Sequence, residues 1–279
     1  MRDSKFFLKK YWKYDSFRPL QKEIIESFHS GKDTIALLPS GGGKSICYQI
    51  SALLKEGQTL VISPLISLMQ DQVYRLRSKG IKAILLVGSS IDNSLETQLD
   101  NAKYGNYKLI YCSPELTLNK FFLNRIINFP INQIAIDEAH CISQWGHDFR
   151  PAFRQIKNLR ALFNNVPMIA LTGSATPKVL NDISIDLGLK SPKIFKTSFN
   201  RMNINYRVIY TNKKIQFIKN DLLYQKNSCI VFCNSRNDVE KLSKKLSNIG
   251  ISVDYFHGGL NNKEKKIKLA KCHLSLYKL

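Results

Sequence analysis

Through the first two thirds of the chain, short runs of apolar residues alternate with longer stretches whose apolar positions recur every three or four residues. Runs of the first kind lie at 35–38, 59–63, 82–87, 109–112, 133–136 and 168–171. They predict buried strands, because a parallel strand covered on both faces has no polar side. Stretches of the second kind predict helices at 22–29, 67–79, 93–104, 116–127, 153–163 and 178–187, with an amphipathic opening helix within 1–16. Gly31 and Gly80 supply two of the stops. Strands alternating with helices of this length predict an α/β fold built on a doubly wound parallel sheet.

The pattern loosens from 190 to 210, which predicts a domain boundary near Ser198. A fresh alternation begins beyond it, with strands at 228–233 and 252–256 around a helix at 238–249. The lysine-rich stretch 261–279 adds no further strand. The expected organisation is one complete domain, 1–198, and a second, incomplete one, 199–279.

The first strand runs into Pro39-Ser40-Gly41-Gly42-Gly43-Lys44-Ser45, followed by a helix. This is the layout of a phosphate-binding loop, in which backbone N–H groups and a helix N-terminus cradle a polyphosphate. Lys44 would reach the β- and γ-phosphates, and the Ser45 hydroxyl would ligate Mg²⁺. The general pattern G-x-x-x-x-G-K-[ST] asks for glycine at position 38, where this chain has Leu38. A second half of such a site stands after the strand at 133–136. There Asp137 would hold the metal and Glu138 would polarise an attacking water. Together the two halves point to nucleotide hydrolysis.

Composition narrows the partners. The net charge of +21, from 42 basic and 21 acidic residues, favours nucleic acid as a partner through phosphate contacts. Only 11 of those 42 are Arg, a lysine bias that an AT-rich coding sequence would also produce. No apolar run approaches the ~18 residues of a membrane span, and the first ten residues contain no apolar leader segment. The expected compartment is the cytoplasm, with no membrane partner. The six cysteines include no C-x-x-C pair, so zinc is not expected, and they read as small buried side chains.

The stretch Asp137-Glu138-Ala139-His140-Cys141-Ile142-Ser143-Gln144-Trp145-Gly146-His147-Asp148-Phe149-Arg150-Pro151 closely resembles the RecQ family of superfamily 2 DNA helicases. Here the hydrolysis motif runs directly into that family's aromatic-rich loop. Further stretches agree in order: Phe17-Arg18-Pro19-Leu20-Gln21, the phosphate loop without its first glycine, residues 63–72, and Leu171-Thr172-Gly173-Ser174-Ala175-Thr176. The resemblance implies a RecA-like fold, ATP and Mg²⁺ as cofactors, and 3′→5′ unwinding of DNA in recombination and repair.

It also implies roles for particular residues. Gln21 would read adenine, Tyr14 would stack on it unless it is simply a core residue, and Arg18 would assist. His140 would connect the hydrolysis site to the coupling residues Thr172, Ser174 and Thr176. Trp145, Phe149 and Arg150 would sense single-stranded DNA by stacking and cation–π contact. Ser63, Ser67, Gln72 and Ser113 would touch the DNA backbone, although the serines also suit helix capping. Single-stranded and partly duplex DNA are the implied partners, acting on a monomer.

The likeness departs from the family at two points, Gly173 where a small residue such as Ala is usual and Met202 where Pro is usual in the linker 199–203. Residues 230–236 and 256–260 resemble the next two motifs, and beyond Leu260 the likeness fades. The arginine-bearing motif that would complete the ATP site is absent from the sequence, and 271–279 reads like a shifted frame. The expectation is therefore ATP and DNA binding with weak hydrolysis. A non-catalytic DNA-binding remnant and a related ATPase acting on RNA are the alternatives.

Overall fold

The computed structural model describes residues 3–88, 94–145, 149–198, 203–225 and 229–273. The chain forms two compact units, Met1–Met202 and Asn203–Leu279. In the first, helix α1 (Ser4–Phe7) continues as a π-helical turn over Leu8–Trp12 and stops at Lys13, whose φ is 61°. Then follow α2 (Gln21–His29), β1 (Thr34–Leu37), α3 (Lys44–Leu54), β2 (Gln58–Ile62), α4 (Ile66–Ser78), β3 (Ala83–Leu86), α5 (Leu95–Tyr104) and β4 (Leu109–Cys112). A 3₁₀ turn (Pro114–Leu118), α6 (Lys120–Ile126), β5 (Ile131–Ile136), a second 3₁₀ turn (Ala139–Ile142), α7 (Pro151–Arg154), α8 (Lys157–Leu162), β6 (Met168–Thr172), α9 (Pro177–Asp186) and β7 (Lys193–Lys196) complete it.

The strands form one seven-stranded sheet in the order β3-β4-β2-β5-β6-β1-β7, with every pair parallel. Side chains alternate between two cores, as the period of a strand requires. Ile35, Leu60, Ile62, Ile134 and Ile136 pack toward α5, α6 and α9. Ala36, Val61, Ala135, Ile169 and Leu171 pack on the other face, toward α2, α3 and α4. All four residues of β1 and all five of β2 are buried, which is why Ile35–Leu37 and Leu60–Ile62 within them read as unbroken apolar runs.

Several elements differ from expectation for identifiable reasons. The helix predicted at 116–127 is divided, because the Asn119 side chain accepts from Phe122 N at 3.1 Å and starts α6 afresh. The helix predicted at 153–163 begins at Pro151 and splits into α7 and α8. Strand β7 lies where the pattern had loosened. It is an edge strand in which only Phe195 is buried, so it carries almost no hydrophobic signal.

The second unit contains α10 (Lys214–Gln225), α11 (Arg236–Asn248) and α12 (Asn262–His273). Ser235 caps α11, its Oγ accepting from Asp238 N at 3.1 Å. The strands expected at 228–233 and 252–256 are not formed among the described residues. Neither segment shows strand pairing among its described residues, and Phe232 is 92% exposed. An apolar run becomes a strand only when a ladder partner is present to satisfy its backbone. The linker motif 199–203 lies, apart from Asn203, outside the described residues.

Candidate nucleotide and nucleic-acid site

The phosphate loop is held in shape by its glycines and by the segment before α2. Leu38 extends the sheet, donating from its N–H to Thr172 O at 3.1 Å, and Gly42 N closes a turn on Pro39 O at 2.9 Å. Gly41 and Gly43 have φ of 75° and 79°, a region that side chains disfavour. A Cβ on Gly42 would lie 2.8 Å from Pro39 O, and one on Gly43 would strike the Gln21 amide. Gly43 is the N-cap of α3, and no side chain caps that helix. Ile46 N donates to Gly43 O at 3.1 Å, which leaves the N–H groups of Lys44 and Ser45 to meet an anion.

Gln21 Nε2 donates to Gly43 O at 3.1 Å, while its Oε1 accepts from Arg18 N at 2.9 Å. The Arg18 guanidinium donates to Gly41 O. The motif expected to read adenine therefore also braces the loop. Tyr14, 51% exposed, is not a core residue and lines the same opening. A cavity of about 690 Å³ brings together Tyr14, Arg18, Gln21, Lys44, Ser45, Asp137 and Glu138.

Asp137 follows β5 and continues its ladder, its N–H donating to Ile62 O at 2.8 Å. Its carboxyl is buried and pushed up to about 6, first by desolvation and then by the neighbouring Glu138 charge. The Glu138 N–H and Lys44 pull the other way without cancelling this. A cation placed at Asp137 would restore the carboxylate. Glu138 has φ of 49°, an unusual backbone for a non-glycine residue at a site. Among the described residues no group of three or more His, Cys, Asp or Glu could hold a metal unaided. Mg²⁺ bound mainly by phosphate oxygens and water needs no such cluster, and Ser45 with Asp137 fits that demand.

His140, in the 3₁₀ turn after Glu138, has Nδ1 3.0 Å from Thr172 Oγ1 and 3.3 Å from Glu138 Oε2. It thus touches the ends of both β5 and β6. Thr172 Oγ1 also accepts from Ser174 N at 3.2 Å. Ser174 and Thr176 are exposed, and Thr176 caps α9 through Val179 N at 3.3 Å. A Cβ on Gly173 would lie 2.8 Å from Lys44 Nζ, so the glycine gives the lysine room beside the coupling segment.

The residues expected to meet DNA are placed unequally. Ser67 is exposed on the first turn of α4, and Ser113 is half-buried beyond β4. Ser63 is buried, 2% exposed, and its Oγ has no partner among the described residues. Gln72 turns toward the phosphate loop, donating from Nε2 to Ser45 Oγ at 2.9 Å.

Trp145 is 67% exposed, with Lys178 Nζ 3.5 Å from its ring centroid. Ser143 Oγ donates to Asp182 Oδ2 at 2.6 Å and accepts from Trp145 N at 3.2 Å, fastening the loop to α9. Arg150 donates to Pro64 O at 2.7 Å, and Phe149 lies under Arg154 at 5.2 Å. Residues 146–148 of this loop lie outside the described residues. Lys178, Asp182, Gln49 and Tyr111 were not anticipated, since nothing local in the sequence marks a residue whose partner is distant in the chain.

Residues 18–183 match the DEAD/DEAH box helicase family, and 213–275 match the helicase conserved C-terminal domain. The chain is 42% identical over 254 residues to the ATP-dependent DNA helicase RecQ of Pasteurella multocida, covering 91% of this chain and 40% of that protein. It is 38% identical over 259 residues to RecQ of Bacillus subtilis, covering 92% and 44% respectively. The chain therefore spans about two fifths of the length of these relatives. Among solved structures, the helicase MrfA bound to DNA superposes with a TM-score of 0.73 at 17% identity, covering 97% of this chain and 43% of that one. At that identity the likeness speaks to the fold alone. No helix of the described residues is long and apolar enough to cross a membrane. The match over residues 18–183, more than half of the chain, establishes that the chain belongs to the DEAD/DEAH box helicases, and RecQ proteins are among its relatives.

Proposed function

We propose that this chain binds ATP with Mg²⁺ in the cavity above β1 and β5 and couples its hydrolysis to movement along single-stranded DNA. The observation that carries the reading is the convergence of an uncapped helix N-terminus, Lys44, Ser45 and a buried Asp137 in one cavity. In that cavity Lys44 would hold the β- and γ-phosphates and Ser45 with Asp137 the metal. Glu138 would take the proton of the attacking water, and Gln21, Arg18 and Tyr14 would hold the base. The metal supplies charge neutralisation along the phosphates. His140, Thr172, Ser174 and Thr176 would transmit the state of the site. Trp145, Phe149 and Arg150 would sense the strand, with Ser67 and Ser113 on its backbone.

We propose further that the physiological reaction is 3′→5′ unwinding of partly duplex DNA by a cytoplasmic monomer, in recombination and repair, a reading that the RecQ relatives support. We divide the chain functionally at 198/199. For the polypeptide of this sequence we propose nucleotide and DNA binding with weak hydrolysis and little unwinding. An arginine supplied across such a site accounts for ~10³–10⁵ of the rate in related phosphoryl transfer, and no matching motif occurs in the sequence.

The test is nucleotide binding and hydrolysis by the purified chain and by Lys44→Ala, with single-stranded DNA or RNA added. Mg²⁺-dependent binding that Lys44→Ala abolishes, with slow hydrolysis stimulated by DNA, is the expected result. Stimulation by RNA alone would move the chain to the RNA-acting class. DNA binding without any nucleotide binding would make it a non-catalytic remnant.

A further inference from the structure

We propose that Gln72 is a positioning residue of the nucleotide site and not a DNA contact. With the buried Gln49 and Tyr111 it forms a relay that ties Ser45 to the two elements leading to Ser67 and Ser113. This rests on the reading of Ser45 as the Mg²⁺-binding hydroxyl.

The relay is continuous. Gln72 Nε2 donates to Ser45 Oγ at 2.9 Å, and Gln72 Oε1 accepts from Gln49 Nε2 at 2.8 Å. Gln49 Nε2 spends its second hydrogen on Tyr111 OH at 3.2 Å, and Tyr111 OH lies 3.3 Å from Tyr48 OH. Gln49, Tyr111 and Tyr48 are 4%, 1% and 0% exposed. A polar group so placed is costly unless satisfied, and each of these finds its partner inside the chain. Both ends of the Gln72 amide are engaged inward. On a helix of 3.6 residues per turn, Gln72 stands about 140° around α4 from the exposed Ser67, on a different side.

The chemistry suits the position. As a nucleotide-free hydroxyl, Ser45 accepts from the Gln72 amide. Once its oxygen gives a lone pair to a metal, its own proton needs an acceptor, and Tyr48, which already hydrogen-bonds Ser45, and the Gln72 amide are both in reach. If Gln72 and Gln49 turn over together, Gln72 Oε1 accepts that proton, Gln72 Nε2 donates to Gln49 Oε1, and Tyr111 donates to the same oxygen. No bond is broken and no group in the relay loses its partner. The turned-over relay ends at Tyr111 in β4, which leads into Ser113, and at α4, whose first turn carries Ser67. Metal–nucleotide affinity and DNA affinity would be linked through it, and such linkage is reciprocal.

The experiment measures binding of a fluorescent ADP to the full chain, with Mg²⁺ or with EDTA, each with and without a single-stranded oligonucleotide. Gln72→Ala is the main variant, and alanine at a half-exposed helix position does not endanger folding. Its Mg²⁺-dependent affinity is expected to fall about three- to tenfold, the value of one hydrogen bond. Affinity in EDTA and intrinsic DNA affinity should hold, while the effect of DNA on nucleotide affinity should shrink toward none. Tyr111→Phe, which keeps the ring, should move the same quantities in the same direction by less. Ser67→Ala should lower DNA affinity alone.

A Gln72→Ala chain that loses DNA affinity but keeps Mg²⁺·ADP affinity would overturn the proposal in favour of a DNA contact. Equal losses with Mg²⁺ and with EDTA, accompanied by a lower melting temperature, would reduce the relay to a structural role and overturn it too. Failure of the parent chain to bind ADP under any condition would instead overturn the nucleotide-site reading on which this one rests.

Discussion

Asp137 sits where function opposes stability, and replacing it by Asn tests that conflict directly. In the folded chain its carboxyl titrates at about 6 against an ordinary value of 3.8. The folded state therefore binds more protons than the unfolded state between these values, and stability declines as pH rises through them. At about 1.4 kcal/mol for each unit, the ionised carboxylate costs the folded chain about 2–3 kcal/mol above pH 6. The residue is 4% exposed, so bulk solvent screens little of this. The Asp137→Asn chain would keep the hydrogen bond from Glu138 N, now 3.0 Å to Asp137 Oδ1, and lose only the charge.

Thermal unfolding of the parent and Asp137→Asn chains, followed by circular dichroism in EDTA from pH 4 to pH 8, measures the effect. For a unit of about 200 residues each kcal/mol shifts the midpoint by roughly 2–4 °C. The variant should melt roughly 5–10 °C higher at pH 8, and the two chains should converge toward pH 4. Mg²⁺·ADP should then stabilise the parent and leave the variant almost unmoved. A variant no more stable than the parent at pH 8 would refute the reasoning, and so would an advantage that persists undiminished at pH 4.

Gly43→Ala places a methyl group against the Gln21 amide on a left-handed residue, and should cost about 1–2 kcal/mol of stability together with nucleotide binding. Chemical denaturation and fluorescent-ADP titration would show both losses at once. Trp145→Ala should weaken single-stranded DNA binding by about 1–3 kcal/mol, the value of one stacked base, and leave ADP affinity unchanged in an anisotropy titration. Asp33→Ala should destabilise the first unit by about 3–5 kcal/mol in urea, since it strands a partner of a buried ion pair. Asp33 Oδ2 accepts from Arg160 at 2.7 Å and from Lys190 N at 2.6 Å, and Oδ1 accepts from Met168 N at 2.8 Å.

Local signals in the sequence carried much of the first unit. Pro39 and three glycines between an apolar run and Lys44 leave few alternatives to a strand, a turn and an anion-binding helix end. Asp33 and β7 escaped notice because their importance is entirely tertiary. A carboxylate before a strand looks solvated, and an edge strand with one covered residue looks like a loop. Tyr111 and Gln49 escaped for a related reason. Within apolar segments each reads as a core residue, and only their proximity across the sheet makes them a polar pair. Ser63, Ser67 and Gln72 share one expected role at the DNA backbone, yet Ser63 is buried and Gln72 donates to Ser45.

What no linear pattern could supply is the strand order, and the order explains why the chemistry converges. β2, β5, β6 and β1 are neighbours in the sheet although they lie far apart in the chain. Their carboxyl ends carry, in turn, the turn at Ser63, the pair Asp137 and Glu138, the segment beginning at Thr172, and the phosphate loop. With strands about 4.8 Å apart, the acidic pair stands about 10 Å from the phosphate loop, leaving room for a phosphate chain and its metal between them. Thr172 occupies the strand between, which is why His140 reaches it at 3.0 Å and why a Cβ on Gly173 would crowd Lys44. A change at the phosphates can therefore press directly on the coupling segment, beside the separate path from Ser45 through Gln72.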